Sequence, residues 1–64
     1  MLKIEEVIKV LDVFTRIDIV KTGDRTLFSG KAKDIKLQEL ENFHVYKVMP
    51  CYTSRETYLE IDVY

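Results

Sequence analysis

Apolar and polar positions alternate with period two over residues 13–21 (VFTRIDIVK) and 25–33 (RTLFSGKAK), and both stretches are rich in β-branched residues. Each therefore predicts a strand. Between them Gly23-Asp24 is a two-residue hairpin signal, glycine supplying the positive φ that such turns need. That turn sets Thr22 opposite Arg25, Ile19 opposite Phe28, Ile17 opposite Gly30 and Thr15 opposite Ala32 on one face. The small Gly30 and Ala32 would let a helix lie close there. The other face pairs Val20 with Leu27, Asp18 with Ser29, Arg16 with Lys31 and Phe14 with Lys33. Upstream, Ile4, Val7, Ile8 and Leu11 fall at i, i+3, i+4 and i+7, one stripe of an amphipathic helix over residues 2–11.

Downstream, Asp34 is placed to N-cap a short helix over residues 35–42, with Leu37 and Leu40 as its apolar contacts. Residues 43–49 and 57–64 read as a second pair of strands. A loop centred on Thr53-Ser54 sets Val48 against Leu59, Tyr46 against Ile61 and His44 against Val63, with Lys47 against Glu60 on the other side. Pro50 then falls near the hairpin end, where its missing N–H is tolerable. The predicted fold is a single α+β domain over residues 1–64: a four-stranded antiparallel sheet with two short helices on one face. A simple meander is the first choice of strand order, and the last strand beside the first is the alternative.

On the sheet face away from the helices these registers place Phe14, Val20, Leu27, Phe43, Val45, Met49, Tyr58 and Tyr64. Eight apolar side chains there exceed the few hundred Å² that a monomer usually leaves open. They are the predicted partner-binding residues, with a homodimer ahead of a host protein as the partner. The chain length strengthens that expectation, because a domain of 64 residues buries only about 60% of its unfolded surface and is marginal by itself.

Composition narrows the chemistry. Lys and Arg number 10 and Asp and Glu 11, interspersed along the chain, so neither a basic nucleic-acid tail nor an acidic mimic is present. Lys31, Lys33 and Lys36, with Arg16 across the ladder, form a basic corner that offers a weak, salt-sensitive nucleic-acid site as the alternative function. No long apolar run suggests a membrane segment, and one cysteine without an apolar leader predicts a cytoplasmic setting. Cys51 and His44 are seven residues apart on one extended segment, roughly 23 Å, too far to act as nucleophile and base. One Cys and one His do not make a zinc site, and the only glycines, Gly23 and Gly30, have structural uses. No catalytic residue, metal or cofactor is expected, and the predicted protein is not an enzyme.

With the hairpin of residues 11–35 and its aromatic-x-Gly-x-apolar-x-Asp-Ile pattern (Phe28, Gly30, Ala32, Asp34, Ile35) in view, about the first 40 residues resemble a type of short, uncharacterised protein carried by phages, prophages and mobile elements of low-GC Gram-positive bacteria. The pattern is a hairpin-to-helix junction and carries no catalytic residue. The resemblance implies an accessory protein that acts by binding, with a host factor as one target.

Overall fold

Ile17, Ile19, Ile61 and Val63 have no exposed surface, and their positions decide the architecture. The computed structural model describes residues 2–23 and 25–64. The chain runs β1 (Leu2–Lys3), α1 (Ile4–Ile8), β2 (Arg16–Lys21), β3 (Arg25–Lys31), a 3-10 turn (Ala32–Asp34), α2 (Leu37–Leu40), β4 (His44–Tyr52) and β5 (Thr57–Val63). These strands form one mixed sheet in the order β1-β4-β5-β2-β3. β5 lies parallel to β2, with Ile17 beside Leu59 and Ile19 beside Ile61.

The α+β class stands, but the four-stranded antiparallel meander is corrected to a five-stranded mixed sheet. A meander would leave β5 at an edge, with Ile61 and Val63 open on one flank. Inserting β5 between β2 and β4 covers both flanks, so the two most isoleucine-rich strands share the centre. The link from β3 to β4 must then cross the sheet. It buries Ala32 and Leu40 on the way, and with Ile4 of α1 these complete the core against Ile17, Ile19, Val45, Ile61 and Val63.

The helices are shorter than the periodicity predicts. In α1 the Lys3 N–H donates to the Glu6 carboxylate (3.0 Å) and Ile4 is buried. Past it, the Asp12 carboxylate accepts from the Phe14 N–H (2.8 Å), a local bond that competes with continued helix. Asp34 does not cap α2. It lies in the 3-10 turn, and the α2 N-cap is Lys36, which makes no side-chain cap bond.

In the first hairpin Ile19 faces Phe28 and Ile17 faces Gly30, as expected. A bulge after Ile19 then sets Val20 opposite Thr26 and Lys21 opposite Arg25, and Leu27 packs against the core. Of the expected turn pair, Gly23 has φ +99° and Asp24 lies outside the described residues. Gly30 serves a neighbour other than a helix: a Cβ there would stand 3.3 Å from Cζ of the Phe28 ring.

In the second hairpin the register is two residues from the expected one, with Val48 opposite Ile61, Lys47 opposite Asp62 and Pro50 opposite Leu59. The turn sets it. The Thr53 N–H donates to the Glu56 carbonyl (2.8 Å), and the Thr53 hydroxyl accepts from the Arg55 and Glu56 N–H groups. The loop is therefore Ser54-Arg55. A second irregularity, between Val45 and Lys47, brings Val45 inward against Val63.

Candidate interaction surface

The strand registers lay out the sheet face away from the helices as rows. Arg16, Lys31, Tyr58 and Cys51 form one row; Asp18, Ser29, Glu60 and Met49 the next; Val20, Thr26, Asp62 and Lys47 a third. Beyond the third row His44 pairs with Tyr64, each N–H donating to the other's carbonyl at 3.0 Å. The Tyr64 ring centroid lies 5.8 Å from that of His44 and 5.9 Å from that of Tyr46.

The eight predicted partner-binding residues divide. Val45 is buried in the core, and Leu27 and Phe43 pack against it, so these three are corrected to core-side positions. The two bulges cause this, because one extra residue in a strand exchanges the faces of everything beyond it. Val20, Met49 and Tyr58 are half-buried on the open face, and Phe14 and Tyr64 are exposed. The same irregularity that buries Val45 exposes Tyr46, which the unbulged register had assigned to the core. No periodicity in the sequence marks that change of phase.

Polar bonds tie the first two rows together. Arg16 Nε lies 3.4 Å from the Glu56 carboxylate. Its Nη2 donates to the Ser29 hydroxyl (3.1 Å), which donates in turn to Asp18 (2.7 Å). Next to this chain, the pKa of the Glu60 carboxyl is raised above the usual carboxylate range. Its hydrogen bond with Asp62 is the main cause, followed by burial and the charges of Asp62 and Asp18, against a smaller opposing effect of Lys47. The Asp62 Oδ1 atom is buried without a hydrogen-bond partner. The Tyr58 hydroxyl is pushed up chiefly by the charge of Cys51, its cross-strand neighbour, and by the hydrogen bond between them.

At the corner of the face a groove of about 640 Å³ is lined by Phe14, Arg16, Lys31 and Lys33 together with Asp34 and Glu56. The Phe14 ring is 63% exposed, with the Lys31 ammonium 5.7 Å and the Lys33 ammonium 5.2 Å from its centroid. Three of the four predicted nucleic-acid residues thus meet around Phe14, itself one of the predicted partner-binding residues. Lys36 is not in the groove's lining; it sits at the start of α2.

No family model, curated protein or solved structure matches the chain.

The remaining chemistry is sparse. Cys51 pairs with Tyr58 at one end of β4 and His44 with Tyr64 at the other. Among the described residues no group of three His, Cys, Asp or Glu is arranged to hold a metal ion, and no helix is long and apolar enough to cross a membrane.

Proposed function

We propose that the protein acts by binding, without catalysis, and that its contact surface is the open face of the sheet. One observation carries this reading. Among the described residues the open face carries exposed Phe14, Tyr46 and Tyr64 and half-buried Val20, Met49 and Tyr58, six apolar side chains beside a core of eight buried residues. The accessible surface of 4672 Å² exceeds the roughly 4,300 Å² expected for a folded chain of this mass. Aromatic side chains, Met and Arg are also the types enriched at interface cores, and all occur on this face. The resemblance of the first 40 or so residues to short phage and mobile-element proteins agrees with an accessory role of this kind.

The test is association across a concentration series, measured by light scattering at low and high salt. The expected result is self-association that Tyr46→Asp and Met49→Asp abolish while circular dichroism shows the fold retained. A monomer before and after substitution, with no protein retained from host extract by the wild type alone, overturns the reading.

A second reading rests on the Phe14 groove. An exposed ring with two ammonium groups near it and a guanidinium in the same groove offers stacking for a base and contacts for phosphates. Three phosphate contacts give weak binding that falls steeply with salt. Retention on single-stranded DNA or RNA at about 50 mM salt, lost in Phe14→Ala and Lys31→Glu, supports this reading, and passage of the wild type without delay ends it.

A further inference from the structure

We infer that the occupant of the open face is a second copy of this chain, set antiparallel across a two-fold axis that runs between the Arg16 and Asp18 rows; this rests on the binding reading above. The three rows carry Arg16, Lys31 and Lys47 against Asp18, Glu60 and Asp62, so their formal charges cancel. A face with one basic row (Arg16, Lys31), one acidic row (Asp18, Glu60) and a mixed third (Asp62, Lys47) can complement itself, and isologous pairing is the commonest way proteins associate.

Symmetry leaves few arrangements: an axis along the strands between β4 and β5 sets Asp62 over Lys47 but carries Arg16, Asp18 and Phe14 past the edge of the second copy, where β1 is too short to meet them. An axis along the strands, between β2 and β5, would set Asp18 over Glu60 of the second copy. An axis across the strands through the Asp18 row sets Asp18 over itself, and one a step further sets Glu60 over Asp62. These three press carboxylates against carboxylates, and like-charge juxtaposition of that kind opposes association. An axis between the Arg16 and Asp18 rows sets Arg16 over Asp18, the Tyr58 hydroxyl over Glu60, Met49 over Cys51 and Phe14 over Val20.

Arg16 keeps donors free for this contact, since two of its five N–H groups satisfy Glu56 and Ser29. Asp18 likewise has an oxygen beyond the one that accepts from Ser29. One like-charge approach remains, Asp62 toward Glu56 of the second copy, and Glu56 is the carboxylate that Arg16 already neutralises. The pairing buries Phe14, the ring most exposed on this corner, and puts the basic groove out of reach of nucleic acid.

The experiment is a charge exchange read by sedimentation equilibrium at low salt. Arg16→Asp and Asp18→Arg, each alone, should weaken self-association at least about tenfold, and an equimolar mixture should recover it as a heterodimer. Arg16→Gln and Asp18→Asn, which disturb folding less, should each weaken association and recover it only in part when mixed, because the mixed dimer keeps one of the two Arg16–Asp18 contacts. A monomeric wild type at every concentration overturns the inference and leaves a foreign protein as the partner. A dimeric wild type whose charge-exchanged variants show no recovery overturns the pairing alone, and the binding reading stands.

Discussion

Gly30 and Glu60 show how single side chains are constrained here. Gly30 has φ +157° and a ring edge where a Cβ would go, so backbone and packing both demand glycine. Gly30→Ala is expected to cost about 1–2 kcal/mol, seen as a lower urea midpoint with unchanged slope. Glu60 titrates above its ordinary range because of Asp62, burial and Asp18, so the folded protein keeps this proton to a higher pH than the unfolded chain does. Stability from this group therefore falls as pH rises from the ordinary glutamate pKa to the raised one, and stays lower above it. Glu60→Gln removes that decline. Its melting temperature should exceed the wild type's at neutral pH and converge with it in acid, a comparison that thermal melts across pH decide.

At the scale of elements, the free edge of β4 is the exposed weakness. β1 covers only Val45 and His44, which leaves the rest of the strand without a neighbour on that side. The turn bond from Thr53 to Glu56 fixes which residues point there. Antiparallel hydrogen-bonded pairs alternate, so Lys47, Met49 and Cys51 bond to β5, and the backbone groups of Val48, Pro50 and Tyr52 face outward. Proline at the middle of that row removes a donor where another strand would bind, a recognised guard against edge-to-edge growth. Pro50→Thr restores the donor and leaves Val48 and Tyr52 exposed beside it. The expected outcome is faster aggregation on warming, by light scattering, with little change in the urea midpoint. α1 is a different case: five residues are too few to hold a helix alone, and it persists because Ile4 is buried and Val7 and Ile8 pack on the core.

For the whole molecule, extents of 33 × 25 × 17 Å describe a slab: one sheet, half-covered on one side and bare on the other. A chain of this length is expected to hold only about 3–10 kcal/mol of stability, so association that favours the folded state should show directly in melting. The melting temperature is expected to rise with protein concentration in the wild type and to stay constant in Arg16→Asp; a flat wild-type series would count against self-association. Much of this slab is legible in the residues. Alternation marks β2, β3, β4 and β5 and the 3.6 period finds α1, because these are local consequences of side-chain geometry; the expected pairs Ile17–Gly30 and Ile19–Phe28 form, but the turn sets Lys21 and not Thr22 opposite Arg25, and the bulge after Ile19 restores the register. Tertiary structure alone decides what depends on a partner strand: β5 beside β2, the short β1, and the bulges that bury Val45 and turn Tyr46 outward. Alternation fixes a face only relative to its neighbours in the strand. One extra residue reverses it, and the cost of that residue is recovered in packing that no local pattern records.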